Sequence, residues 1–298
     1  MKGKLSIIFG IDMETDVGHF TPFYEGVKNA TPVLLELFEQ KNIKTTFYFT
    51  GDAARQNPYS VELVRGSGNE IGCHSLFHET IGEELFPIPG VKPILPEEVK
   101  SRLETATRWV EEVSGARPVS FRCPRLWGST AVVNALDQLG YVSDASYPMY
   151  FFRQRFAPFH PDSMDWTQEG QLHILEIPNF ADMTMESKDP LLERDRDQWP
   201  LFRTEGTDAL MVHIENFLDF IDKRNLPAVL CFYFHPWEFI QVKKRYHYGE
   251  GAVIPDAFIT KNCGKKALRE FSRLIDMLKA MGGTFYRADN FVKGWDGE

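Results

Sequence analysis

The chain has 298 residues, with 33 basic against 42 acidic side chains for a formal net charge of −9, and with 43% hydrophobic and 25% charged residues. That composition is ordinary for a globular protein and excludes a disordered or fibrous chain. The acidic balance offers no attraction to phosphate backbones or anionic lipid, so nucleic acid is not an expected partner.

The stretch Met1 to Asp12 holds only Leu5 to Ile11 as an apolar core, shorter than a signal-peptide core and without a small-residue cleavage site. No run approaches the roughly eighteen apolar residues of a membrane span. Cys73, Cys123, Cys231 and Cys263 are spread without a close pair, a pattern of neither a disulfide framework nor a cysteine zinc site. A cytoplasmic protein is the expectation.

Short apolar, β-branched or aromatic runs recur at Leu5 to Ile11, Thr45 to Phe49, Glu70 to Cys73, Val119 to Phe121, Ile174 to Ile177, Val229 to Phe234 and Thr284 to Tyr286, and read as buried strands. Helical periodicity separates them. Pro96 to Ser114 spaces Val99, Leu103, Ala106, Val110 and Val113 by four and three, with Gly115 just past its end. Thr130 to Leu139, Asp208 to Ile221 and Lys266 to Met281 follow the same rule. Alternating strands and helices imply parallel strands with helical crossovers, and seven or eight such units favour a (β/α) barrel in a single domain over residues 1–298. Ser146 to Leu172, Phe180 to Thr207 and Phe239 to Lys265 lack periodicity and are expected to lie over the C-terminal face of the barrel, where substrate sites are built.

His74 and His78 form a His-Ser-Leu-Phe-His stretch, a spacing at which two imidazoles meet one metal across a single helical turn. With eight histidines in the chain, about 0.2 such pairs would arise by chance, so the pair alone leaves surface or core histidines open. Ser75 stands where a zincin helix needs its general-base glutamate, and Gly66, Gly68 and Gly72 break any helix leading in. Position adds to the pair, because Asp12, His74, Arg122 and His235 each follow an apolar strand and would converge at one mouth of a parallel barrel. Arg122, awkward to bury unpaired, needs a carboxylate partner, and Asp12 is the natural one, held in place as a base. Asp12 and Glu14 point the same way in an extended backbone, so one could act as base while the other completes a two-histidine, one-carboxylate site. Such a site leaves coordination positions open for water and a substrate carbonyl.

These residues resemble the polysaccharide deacetylase family, the NodB-homology or carbohydrate esterase family 4 proteins, over most of the chain. The motifs stand in family order: Ile11-Asp12-Met13-Glu14, His74 to His78, Arg122-Cys123-Pro124, Asp144-Ala145-Ser146 and His235-Pro236. The run Phe234-His235-Pro236-Trp237-Glu238 is similar to the branch acting on exopolysaccharide precursors. The resemblance implies a deformed (β/α) barrel of seven or eight strands and one divalent metal, often zinc. It implies Asp12 as catalytic base, Glu14, His74 and His78 as metal ligands, and His235 as general acid. Arg122 would hold Asp12, Asp144 would orient His235, and the backbone N–H of Arg125 would face the oxyanion. Met13 splits the family's usual adjacent aspartate pair and Glu replaces the second acid, which leaves Asp16 as a substitute ligand. Arg125 stands where an aromatic residue often follows the proline.

The implied reaction is metal-dependent hydrolysis of a carbon–nitrogen bond outside peptides, most simply N-deacetylation of an amino sugar in an oligosaccharide or polysaccharide precursor. Two other readings stay open: an allantoinase-like hydrolase of a small cyclic ureide, and a carbohydrate-binding protein that has lost catalysis. A carbohydrate or small amide is therefore the expected partner. Trp127, Tyr150, Phe151, Phe152 and Trp166 are candidates for stacking on sugar faces, with loop anchoring as their alternative role.

Overall fold

Eight strands of one sheet are arranged around β1 (Ser6–Met13). The computed structural model describes residues 4–295 except Pro89 and Pro190, so the first three residues of the N-terminal stretch lie outside the described residues. β1 pairs in parallel with β2 (Thr46–Phe49), and the path continues through β3 (Glu70–Cys73), β4 (Ser120–Phe121), β5 (Ser143–Asp144) and β6 (Leu175–Glu176). β7 (Val229–Phe234) pairs with β1 on its other side, from Ser6↔Val229 to Ile11↔Phe234. A single parallel bridge, Asn179↔Cys231, joins the chain just beyond β6 to β7 and closes the ring. Seven strands thus make the deformed barrel. An antiparallel pair, β8 (Tyr246–Tyr248) and β9 (Gly251–Val253), stands apart from the sheet, and β10 (Thr284–Tyr286) pairs only with the first half of β1.

The helices α1 (Glu25–Gln40), α2 (Gly51–Gln56), α3 (Pro58–Gly66), α4 (Val99–Ser114), α5 (Thr130–Gln138), α6 (Met149–Phe152), α7 (Leu201–Thr204), α8 (Thr207–Asp222) and α9 (Lys265–Ala280) pack on the helix-side core, whereas α10 (Ala288–Lys293) joins the interior cluster through Ala288 and Phe291. The expected helices over 96–114, 130–139, 208–221 and 266–281 correspond to α4, α5, α8 and α9, and α4 ends at Gly115 in the left-handed region, φ 76°. The strand-like runs correspond to β1 to β4, β6, β7 and β10, whereas β5 and the β8–β9 hairpin have no counterpart among them.

The pleat of β1 decides what lies inside. Ile7, Phe9, Ile11 and Met13 belong to the core between sheet and helices, with Phe47, Phe49, Leu34 and Phe271. The alternate residues Ile8, Gly10 and Asp12 face the barrel interior, where Ile8 meets Tyr48, Ala145 and Cys231. Gly10 is required by close approach, since a Cβ there would sit 1.8 Å from Arg122 Nη1. Asp12 and Glu14 therefore share one face, and Met13 is spent on the helical core.

Candidate active site

Two strand ends bring three ligand-type atoms together. Glu14 follows β1, His74 follows β3, and His78 lies four residues on; their ligand atoms all fall within 4.8 Å of one another, and all three side chains are buried. Glu14 Oε2 is 2.6 Å from His78 Nε2 and 3.3 Å from His74 Nε2. The segment between the histidines is not the expected helical turn. Ser75 and His78 have left-handed backbones, φ 65° and 63°, and this double kink folds the two rings back together at 5.3 Å between centroids. Glu79 holds the kink by accepting from Ser75 Oγ at 2.9 Å and Phe77 N at 2.6 Å.

Several observations fit a metal here. His74 Nδ1 lies 2.8 Å from the Arg122 carbonyl, which fixes Nδ1 as the protonated nitrogen and leaves Nε2 as the ligand atom. Glu14 Oε2 is buried without a well-formed hydrogen bond despite its proximity to two imidazoles. Burial would push the Glu14 carboxyl up, yet the His78 and His74 imidazoles outweigh it and hold it well below the ordinary range. Burial pushes His78 down, towards the neutral form that a metal needs. Two imidazoles and a carboxylate with open positions suit a catalytic divalent cation. Asp16, the alternative ligand, lies elsewhere: its carboxylate accepts from Glu25 N at 3.0 Å and Gly26 N at 2.8 Å and so caps α1.

Asp12 and Arg122 meet inside the barrel, Nη1 to Oδ1 at 2.9 Å, with the guanidinium fully buried. The remaining Arg122 donors reach Ala145 O at 3.0 Å, Asn179 Oδ1 at 3.3 Å and Phe232 O at 3.3 Å. Of the four residues expected to converge, Asp12, His74 and His235 line one cleft of about 670 Å³ together with Glu14 and His78, while Arg122 lies beneath them.

The structure corrects the expectation that Asp144 orients His235. Phe121, Asp144 and Glu176 stand in register across β4, β5 and β6, and Phe121 belongs to the helix-side core, so Asp144 points out of the barrel. It receives a short hydrogen bond from Ser146 Oγ and pairs with Glu176, whose Oε1 accepts from Ser146 N and Tyr147 N, each at 2.9 Å. Burial pushes Asp144 up to about 6 and Glu176 well above its ordinary value, as two buried acids sharing a proton require.

The acid beside His235 is Glu238, which sequence reasoning leaves without a role although it stands three residues beyond the histidine. His235 Nδ1 is 3.1 Å from Glu238 Oε1, while His235 Nε2 is 3.9 Å from Glu14 Oε1. Burial lowers the His235 imidazolium, but Glu238 and Glu14 outweigh it and raise it above the usual histidine range. Arg125, with φ 62°, lines the same cleft and sends its side chain to His78 O at 3.2 Å and Thr80 Oγ1 at 3.0 Å.

All three aperiodic segments contribute to the cleft, two of them through Arg194 to Glu205 and through Asp256, Phe258 and Ile259. The third supplies Tyr150 alone. Of the expected stacking residues, Trp127 and Trp166 are buried core, and Phe151 and Phe152 pack against that core. The aromatic lining comes instead from Phe20, Trp199, Tyr233, Trp237 and Phe258, with Tyr150.

Residues 19–143 match the polysaccharide deacetylase family model. The chain is 26% identical over 165 residues to a peptidoglycan-N-acetylglucosamine deacetylase of Bacillus cereus, an alignment spanning 55% of this chain and 66% of that relative. A Mycobacterium smegmatis structure described as a polysaccharide deacetylase superposes with a TM-score of 0.63 at 16% identity, over 98% of this chain and 90% of the other. The Puue allantoinase superposes with a TM-score of 0.65 at 14% identity, over 99% and 91%. In sequence over residues 19–143, and in the order of its motifs, the chain is similar to the polysaccharide deacetylase family, on a barrel that its solved neighbours share.

Proposed function

We propose that the chain is a metal-dependent amide hydrolase that removes the acetyl group from an N-acetylated amino sugar in a saccharide. The observation that carries this reading is the grouping of Glu14, His74 and His78 beside Asp12 and His235 in one cleft. The family match and the deacetylase relative support it. Glu14, His74 and His78 would hold the ion, and a divalent cation such as zinc would supply Lewis-acid polarisation of the amide carbonyl and of a water.

The protein's own groups then divide the proton traffic. Asp12, steadied by Arg122 at Oδ1, takes a proton from the attacking water on its other oxygen as the water oxygen bonds to the acyl carbon. The backbone N–H of Arg125 donates to the developing oxyanion. His235 Nε2–H delivers a proton to the nitrogen as the carbon–nitrogen bond breaks, releasing acetate and the free amine.

The test is a screen of metal-replete protein on N-acetylglucosamine oligomers and on cyclic ureides, with metal content measured on the same samples. Release of acetate with free amine from the oligomers is the expected result. Hydrolysis of ureides alone would overturn the substrate assignment, and saccharide binding without divalent metal or turnover would overturn the enzymatic one.

A further inference from the structure

Glu238 is fully buried and serves four donors. Its Oε1 accepts from His235 N at 2.9 Å, from His235 Nδ1 at 3.1 Å and from Trp199 Nε1 at 2.9 Å. Its Oε2 accepts from Arg203 Nε at 2.5 Å. Arg203 is itself fully buried and spends its two other nitrogens on Lys261 O and Ile259 O, each at 2.6 Å. The carboxylate is therefore fixed from behind by one cation and two aperiodic segments, and presents one oxygen to the imidazole. Burial alone would push Glu238 up, but Arg203 and His235 outweigh it and bring it to about 2, so this oxygen is an acceptor at any working pH.

The ring it meets has little freedom. His235 stacks on Trp237 with centroids 5.3 Å apart and 24° between planes, and Trp199 stands edge-on to it at 5.2 Å and 76°. With Nδ1 committed to Glu238, Nε2 is the nitrogen turned towards Glu14 and the cleft.

We propose that Glu238, clamped by Arg203 and Trp199, is the positioning residue that sets the tautomer and orientation of His235, a role that Asp144 is turned away from filling. This inference rests on the deacetylase reading for the step it serves. A carboxylate that holds Nδ1–H leaves Nε2 to carry the transferable proton, and removing such a group from a catalytic histidine costs turnover largely through the wrong tautomer. The segment 180–207, which supplies both Trp199 and Arg203, thereby becomes part of the acid's support.

The experiment is histidine nitrogen NMR on the whole metal-loaded chain, paired with kinetics on an N-acetylglucosamine oligomer and on 4-nitrophenyl acetate. Neutral His235 is expected as the Nδ1–H tautomer in the parent protein and to move towards Nε2–H in Glu238→Ala. That variant should lose at least ~10²-fold in kcat on the oligomer with KM nearly unchanged, and far less on the aryl ester, whose leaving group needs little protonation. Asp144→Asn should leave the tautomer as it was. Retention of Nδ1–H in Glu238→Ala, a shift caused by Asp144→Asn, or equal losses on amide and ester would each overturn the assignment. If Glu238→Ala does not fold, the isosteric Glu238→Gln decides. It keeps an acceptor for Nδ1–H but not the charge, so it should hold the tautomer and lose ~10-fold on the amide only; equal losses would again overturn it. A parent protein inactive on every saccharide would refute the deacetylase reading while the NMR arm still judged Glu238.

Discussion

Arg122 Nη1 stands 2.9 Å from Asp12 Oδ1 across the inside of the barrel, joining the end of β4 to the end of β1. The same guanidinium bonds Ala145 O beside β5 and Asn179 Oδ1 at the closing bridge, so one buried cation ties three other parts of the ring to the carboxylate in the cleft. Its room is made by Gly10, the interior residue immediately before the Ile11-Asp12 step. Gly10→Ala would place a methyl group 1.8 Å from Nη1. Overpacking of that kind costs roughly 1–3 kcal/mol. Gly10→Ala is therefore expected to lower stability by about that much in denaturant melts and to reduce turnover through a displaced Asp12, with metal content unchanged. Parent-like stability and turnover would show that Arg122 moves aside freely.

Glu14 and Asp16, which sequence reasoning does not separate as ligands, predict opposite phenotypes. Glu14 faces two imidazole nitrogens, whereas Asp16 caps α1 through two backbone N–H groups. Glu14→Gln should lose most of its divalent metal after dialysis while remaining folded. Asp16→Asn should keep the metal and lose about 1 kcal/mol of stability, the usual scale for a weakened helix cap. Metal loss in Asp16→Asn with retention in Glu14→Gln would exchange the two roles.

The pattern of period two along β1, β3 and β7 is what makes the candidate site legible. Asp12 and Glu14, Gly72 and His74, and Tyr233 and His235 each lie two apart on one face, so apolar runs ending in polar residues mark the barrel mouth in the sequence itself. Three features are hidden for physical reasons. β5 has only two residues, and their burial comes from neighbours in the sheet rather than from an apolar run of their own. Helix α1 carries Pro32 in its interior, which reads locally as a breaker while Val27, Ala30, Leu34 and Phe38 bury its face. The partner of His235 is Glu238 and not Asp144 because the side on which Asp144 emerges depends on its register with Phe121, a tertiary fact that motif order does not contain.

Asp144 and Glu176 give a stability signature with a definite sign. Burial pushes Asp144 from its ordinary 3.8 up to about 6, so between these values the folded chain keeps a proton that the unfolded chain has released. Stability contributed by this group is then greatest below about pH 4, falls as pH rises through that window, and is level above it. Asp144→Asn removes the penalty. The variant should gain stability relative to the parent as pH rises from 4 to 7, read from denaturant melts at each pH. Parallel stability curves for the two proteins across that range would refute the shared-proton pair.

The last prediction separates base from acid in the proposed hydrolysis. Asp12 lines the cleft and is held by Arg122 but stands outside the Glu14, His74 and His78 group, so Asp12→Asn should keep both metal and fold. Losing a general base typically costs ~10²-fold or more in kcat, and because water must be deprotonated whatever the leaving group, this variant should be poor on an N-acetylated sugar and on an activated aryl acetate alike. His235→Ala should also keep the metal, since His235 reaches no closer than 3.9 Å to Glu14. Its defect should depend on the leaving group. An amine departs badly without a proton, whereas a nitrophenolate departs unaided, so the variant should lose ~10²-fold on the amide and much less on the ester. The contrast is read from the ratio of the two kcat values in each variant, which cancels differences in active fraction between preparations. A ratio that rises in favour of the ester for His235→Ala and stays near the parent's for Asp12→Asn assigns acid and base as proposed. The reverse pattern would exchange the two roles, and an unchanged ratio in both variants would show that proton delivery to the leaving group is not where His235 acts.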